Sequence, residues 1–268
     1  MRGRVGDRLR AVVGYGLSAL FVALAIVGPV LAPFPEGALD LAHELEGPSG
    51  RHWLGTGENG IDLFSALLYG ARLAGIVSFG SVVVSCLLGT LLGAAAAYAG
   101  GRADQLLVWL VDVFMAFPGL LLNAAVVALV ARPGTGHLVF ALAVSGWVGY
   151  ARLARAQVLS LREREFVVAA RALGASPARV VVRHLVPNIV GPIVVQATFG
   201  LGGAVLVEAS LSFLGMGTGG DTWGSLLDQG TAYLLRTGHV TLVAGLAITL
   251  TILGFQLAGD ALRDRLGR

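Results

Sequence analysis

Six stretches of this chain run for 19 to 29 residues without a charged side chain, and nothing else in the sequence constrains the fold as strongly. They cover residues 11–32, 73–101, 113–131, 133–151, 184–207 and 237–259. A backbone in hydrocarbon must satisfy its own polar groups, which leaves helices or closed barrels. A spanning helix takes about 20 mostly apolar residues. The apolar patterning places six candidate spans at roughly 11–32, 74–98, 106–130, 138–157, 190–214 and 239–260. The expected fold is all-α, a polytopic membrane protein with six transmembrane helices. Only 13% of the 268 residues are charged, against about 25% in soluble domains. That excludes a soluble fold, and the apolar content excludes disorder.

Charge sets the orientation. Six spans put both termini on one side, and arginine-rich segments stay in the cytoplasm. With the N-terminus inside, 15 of the 19 arginines are internal: Arg2, Arg4, Arg8 and Arg10, then Arg102, then seven from Arg152 to Arg183, then Arg263, Arg265 and Arg268. Only Arg51, Arg72, Arg132 and Arg236 fall outside. Both termini are therefore expected in the cytoplasm. The first span exceeds the 7–15 residue apolar region of a signal peptide, and no clear small-residue cleavage site follows it. It reads as an uncleaved span. The outer loop from Pro33 to Arg72 carries six acids, whereas the inner loop from Arg152 to Arg183 has seven arginines and two glutamates.

Several chemistries are absent. Every basic residue apart from histidine is arginine, so the lysine of a phosphate-binding P-loop is missing. The single cysteine, Cys86, precludes an intrachain disulfide and a multi-cysteine metal site. His43, His52, His137, His184 and His239 show no ligand spacing, so no metal is expected. Gly215 to Gly220 matches G-x-G-x-x-G, but it follows a membrane helix instead of a strand, and a dinucleotide site needs the strand. No nucleophile elbow or catalytic triad is assembled. No catalytic residue, cofactor or nucleic-acid partner is expected; the arginines lie in loops, where they set topology.

The second span carries Ser81, Ser85, Gly89, Gly93, Ala97 and Gly101, small residues at every fourth position and hence on one helix face. The fifth repeats the theme with Gly200, Ala204, Glu208 and Ser212. Such stripes let helices approach closely in lipid, either within the chain or against a partner subunit. Pro118 falls inside the third span and is expected to kink it. Acids at mid-membrane cost roughly 2.5–3.5 kcal/mol on insertion scales and face protein or water. Glu208 is the deepest, a candidate to line a watery pathway or to make a structural hydrogen bond. Asp112 is a candidate buried polar contact, and Asp260 an interfacial residue.

The inner loop carries the specific signal. In FVVAARALGASPARVVVRHLVPN, residues 166–188, Ala169 to Leu173 are strong helix formers. Gly174 reads as a helix end. Ser176-Pro177 reads as the N-cap and first-turn proline of a second helix, which Pro187 ends or kinks. The small residues Ala169, Ala170, Gly174 and Ala175 leave a shallow surface suited to a partner's groove.

These residues resemble the E-A-A-x-x-x-G-(x9)-I-x-L-P loop of permeases of binding-protein-dependent ABC importers. The loop stands here as Val168-Ala169-Ala170, then Gly174, then His184 to Pro187, with Val168 in place of the usual acid. HWLGTGENGIDLFSALLYGAR, LVDVFMAFPGLLL, SGWVGYARLARAQVLSLREREFVVAARALGAS, LVEASLSFLGMG and LGFQLAGDALRD are similar to the dipeptide, oligopeptide and nickel branch of that family. The resemblance runs from about Arg51 to Arg268. It implies the type I importer permease fold as a single transmembrane domain over 1–268, with an N-terminal span at 11–32 and a core at 73–262 containing a cytoplasmic coupling loop at 152–187. It implies a multi-pass protein of a prokaryotic plasma (inner) membrane, surrounded by lipid. It also implies partners: a second homologous permease, two cytoplasmic ATPase subunits and an extracytoplasmic substrate-binding protein. ATP would be hydrolysed on those ATPase subunits, not on this chain. Ala169, Ala170, Arg171, Gly174, Ala175 and Ser176 would couple to the ATPase, with the loop helix as a rigid lever. Di- or oligopeptides are the default substrate for this branch, and nickel or another small solute the alternative. From another class, a secondary carrier would show inverted repeats and paired ion ligands; only isolated acids are seen. A membrane-embedded enzyme would need clustered catalytic residues.

Overall fold

The computed structural model describes residues 2–266. Arg268, and the side chains of Arg2 and Arg4, which count in the charge asymmetry, lie outside the described residues. Among the described residues ten α-helices follow one another: α1 (Arg2–Leu31), α2 (Leu63–Ala99), α3 (Gly101–Met115), α4 (Gly119–Ala128), α5 (Thr135–Leu161), α6 (Glu165–Ala172), α7 (Pro177–Val180), α8 (Val186–Phe213), α9 (Trp223–Ala232) and α10 (His239–Leu266). There is no strand among the described residues, only an isolated bridge between Thr56 and Asp62.

Five rods are long and apolar enough to cross a membrane: Asp7–Leu31, Leu63–Ala99, Thr135–Leu161, Pro177–Phe213 and His239–Leu266. The sixth expected span departs from the sequence reading. Pro118 does not kink it but breaks it, and α3 and α4 meet at 84°. Proline lacks the N–H the helix needs and disfavours the helical conformation of the residue before it. Pro118 leaves helical backbone at φ −59°, ψ 122° and becomes the N-cap of α4.

In lipid the hydrophobic effect does not drive helices together; close packing does. The small stripe of α2 is spent on contacts within this chain. A Cβ on Gly89 would lie 2.8 Å from Tyr150 Cβ, and one on Gly93 would lie 2.9 Å from the Ala151 backbone. Glycine at these positions therefore brings the α2 and α5 backbones together. Phe21 of α1, Trp223 of α9 and Phe255 of α10 pack edge to face, with ring centroids 5.8 and 5.5 Å from Phe21. The Trp223 indole N–H donates to the Leu67 carbonyl at 3.0 Å, which ties α9 to α2.

One end of the bundle is a cap. Here α2 begins eleven residues earlier than expected, at Leu63. Asp62 caps it by accepting from the Ser65 amide at 2.8 Å and pairs with His52 Nδ1 at 2.9 Å, with both side chains buried. His43 beside Asp40, at 3.0 Å, holds that carboxyl below the usual carboxylate range. The connection between α8 and α10 contains a further helix, α9, capped by a reciprocal Thr222–Ser225 pair. Gly215, the first glycine of the G-x-G-x-x-G string, has φ +74° and ends α8.

The opposite end gathers the start of α1, the end of α10 and the α6–α7 loop. Asp7 and Arg10 share a shallow pocket with Asp260, Arg263 and Asp264. Leu266 lies 3.7 Å from where a Cβ on Gly191, near the start of α8, would stand. Asp260 is exposed at this end.

Candidate functional site

The loop after α5 folds as helix, turn, helix. At the end of α6 the Gly174 amide donates to the Arg171 carbonyl at 2.9 Å, and the Ala175 amide donates to the Ala170 carbonyl at 3.0 Å. This pair of bonds is a Schellman motif, which needs a left-handed residue at its centre. Gly174 has φ +80°, with nothing within 4 Å of where a Cβ would be. Ser176 then caps α7 by accepting from the Arg179 amide at 3.4 Å, with Pro177 in the first turn. Past α7 the helix widens into a π turn at Val181–Leu185 before continuing as α8. Pro187 neither ends that helix nor breaks it; it sits in the first turn of α8, directly after the π turn.

The sides of α6 differ in what they touch. Val167 is fully buried in an apolar cluster with Ala94 and Ala97 of α2, Val158 of α5 and Val180 of α7, and Ala170 is buried as well. Ala170 therefore faces inward, away from the surface on which the sequence reading put it. Ala169, Arg171, Gly174 and Ser176 are exposed, and Ala175 is half-buried against the same cluster. The surface beside them is apolar, since Phe166, Val168 and Leu173 are exposed, Leu173 by 89%. An apolar, knob-like surface on a short rigid helix is suited to a protein groove.

Arginines hold this loop to the bundle, a role the sequence did not suggest. Arg171 stacks over the Tyr98 ring at 4.8 Å and donates from Nε to the Tyr98 hydroxyl at 3.1 Å. It also donates from Nη2 to the Arg162 carbonyl at 3.4 Å. Arg155 of α5 grips Asp104 of α3 with two bonds, of 2.6 and 2.7 Å. Bidentate pairs of this kind fix geometry as well as charge. The one signal available beforehand was the crowding of seven arginines between residues 152 and 183.

Glu208 and Asp112 are not brought together. Glu208 is 1% exposed and accepts a hydrogen bond from the Ser212 hydroxyl at 2.8 Å, one turn along α8. Asp112 is exposed, contrary to the buried contact expected of it. It lines a groove of about 650 Å³ between α3 and α5, with Met115, Arg152 and Arg155. The break at Pro118 explains the difference: the helix that carries Asp112 ends three residues later and lies along α5 instead of crossing the bundle core.

Residues 89–268 match the family described as the binding-protein-dependent transport system inner membrane component. A dipeptide transport system permease protein of Alkalihalophilus pseudofirmus is 38% identical over 258 residues, 96% of this chain and 84% of its own. A glutathione transport system permease protein of Pectobacterium atrosepticum is 38% identical over 97% of this chain and 87% of its own. A nickel transport system permease protein of Escherichia coli is 38% identical over 92% of this chain and 90% of its own.

Proposed function

The chain belongs to the family of binding-protein-dependent transport system inner membrane components, and from that premise we propose that it forms half of a translocation pathway for di- or oligopeptides. It is a multi-pass inner-membrane permease subunit of an ABC importer. The other half of the pathway is a second, homologous permease. Of the two ATPase subunits, one docks on the α6–α7 loop of this chain and the other on the second permease, and a substrate-binding protein delivers the solute to the capped end of the bundle. The α6 end, with both termini, faces the cytoplasm, which the arginine distribution supports.

The observation that carries this reading is the two-sidedness of α6. Val167 locks it to α2, α5 and α7 and Ala170 is buried, while Leu173, Val168 and Phe166 remain exposed. A helix held this way transmits a push on its outer surface to the spans behind it. A partner that closes on ATP then biases a two-state element. Ala169, Arg171, Gly174, Ala175 and Ser176 form the contact region, and Ala170 is its anchor.

The substrate reading rests on relatives named for dipeptide and glutathione transport, both of which carry peptide bonds. The nickel relative favours a second reading in which the same machinery carries that ion. The test is to purify the tagged chain with its partners from its native membrane, reconstitute it, and measure uptake of a labelled dipeptide and of nickel. ATP-dependent dipeptide uptake that requires the binding protein is expected. Recovery of the chain alone, with uptake driven by an ion gradient without ATP, would overturn the importer reading in favour of a carrier.

A further inference from the structure

Between α2, α4, α5 and α8 lies a half-open pocket of about 190 Å³. Its polar lining comes from all four helices: Ser81 and Ser85, Asn123, Ser145 and Tyr150, and Gln196. Asn123 and Tyr150 are only 2% and 4% exposed. The Asn123 Oδ1 and the Tyr150 hydroxyl are buried without a hydrogen-bond partner among the described residues. Leaving a buried polar atom unpaired costs about 1–3 kcal/mol. Two such atoms in one pocket mark a place where a guest returns those bonds.

The lining specifies the guest. Ser81 donates its hydroxyl proton to the Ser78 carbonyl at 3.1 Å, and Ser145 donates to the Leu142 carbonyl at 3.3 Å. Their oxygens therefore face a guest as acceptors. Asn123 Oδ1 is a third acceptor; the Tyr150 O–H and the amide N–H groups of Asn123 and Gln196 are donors. None of the side chains lining the pocket is charged. A charged guest loses several kcal/mol of hydration that no countercharge restores, and an apolar guest leaves the donors unpaired. A neutral group carrying both a donor and an acceptor answers both demands.

Glycines keep this space clear. A Cβ on Gly200 would stand 2.6 Å from the Tyr150 hydroxyl, and one on Gly146 2.5 Å from the Ser85 hydroxyl. Gly203 also lines the pocket and is exposed, so the mouth opens on that side of α8. The volume equals that of about six waters at ~30 Å³ each, enough for one peptide unit with its flanking carbons.

We propose that this pocket is a subsite for the peptide bond of the solute in transit, a neutral secondary amide recognised by the permease itself. The proposal rests on the peptide-import reading above. Water has the same donor and acceptor chemistry and is the competing guest. A neutral site suits a pathway, because it holds the backbone common to all peptides without gripping their charges.

The test uses the assembled transporter in proteoliposomes, with Cys86→Ala making this chain cysteine-free and Ser145→Cys placing a thiol in the pocket. The rate of modification by methyl methanethiosulfonate is read alone, with a dipeptide, with N-methylacetamide and with acetate. At least fivefold slowing by the dipeptide and by N-methylacetamide, with no effect of acetate, is the expected result. Equal rates in all conditions would mean that water alone occupies the pocket, and would overturn the proposal. An unreactive thiol would mean a closed site, and would also overturn it. Where Ser145→Cys fails to assemble, Ser85→Cys serves the same purpose. Dipeptide uptake by the transporter carrying Cys86→Ala is measured in parallel. If uptake fails while N-methylacetamide still protects, the import reading falls and the amide site stands.

Discussion

Gly174 separates two reasons why a loop residue can matter, conformation and contact. Its φ of +80° lies in the left-handed region, where an L-residue costs about 1–2 kcal/mol. That is roughly a 5–30-fold loss in the population of the turn. The space around it is open, so a methyl group clashes with nothing in this chain. Alanine is strained but small. Asparagine tolerates the left-handed conformation but projects further. Glutamate is both strained and long, and sets a charge beside the exposed Leu173. The turn is also held by two backbone bonds and by the buried Val167 and Ala170, so strain alone leaves it mostly formed. If an ATPase subunit docks here, transport should fall in the order Gly174→Ala, Gly174→Asn, Gly174→Glu, with the last inactive. Membrane levels should stay normal, because nothing in the core is touched. The assay is ATP-dependent dipeptide uptake, with stimulation of ATP hydrolysis by loaded binding protein as the second readout. Full activity of Gly174→Asn with none for Gly174→Ala would refute the docking argument, since conformation alone would then matter. Full uptake by Gly174→Glu would refute it as well.

Other expectations follow from packing and polar contacts. Gly93→Ala should destabilise the purified complex by about 1–3 kcal/mol, as overpacking does, because its Cβ meets the Ala151 backbone, whereas Gly203→Ala, in open space, should melt like the wild type. Glu208→Gln keeps an acceptor for the Ser212 hydroxyl and should impair uptake only modestly; loss of uptake from a fully assembled complex would assign Glu208 to the pathway. Asp62→Ala removes the cap of α2 and leaves buried His52 without its partner. It should cost about 2–4 kcal/mol from the lost cap and the orphaned ring together, read as a lower melting temperature of the purified complex.

The spans were legible because insertion into lipid depends on a running sum of side-chain hydropathy, a property of the sequence alone. Their ends were less so. Residues 63–73 join α2 because Asp62 caps the helix locally and because Leu63 and Ala66 are buried against Leu226, Val240 and Ala244, which lie far along the chain. Pro118 announced a disturbance, but whether a helix bends or breaks depends on what its two halves pack against. The α6 turn was readable to the residue, since Gly174, Ser176 and Pro177 act through local backbone chemistry. The inward turn of Ala170 was not, because it follows from the contacts of Val167 with other helices. The polar pocket was invisible for the same reason. Asn123, Tyr150 and Gln196 each look like an isolated polar residue in an apolar helix until folding sets them around one space.

The pocket and the loop share their helices, and this has a measurable consequence. α5 carries Ser145 and Tyr150 at the pocket and runs unbroken to Leu161, four residues before α6 begins. At 1.5 Å per residue, Tyr150 and Leu161 are about 16 Å apart along one rod. α8 carries Gln196 and Gly200, and is continuous with α7 on the other side of the Gly174 turn. A force on α6 therefore reaches the α5 and α8 walls along the chain and the α2 wall through Arg171 and Tyr98, while the α4 wall follows through its packing on α5 and α8. Walls driven by different routes change the pocket's width. The Ser145→Cys thiol should accordingly be modified at different rates in the nucleotide-free transporter and in one trapped with a non-hydrolysable ATP analogue. Arg171→Ala, which cuts the loop's tie to Tyr98 on α2, should shrink that difference. Equal rates in the two nucleotide states would mean that the bundle moves as one body, with no relative motion of α5 and α8 against α2 and α4.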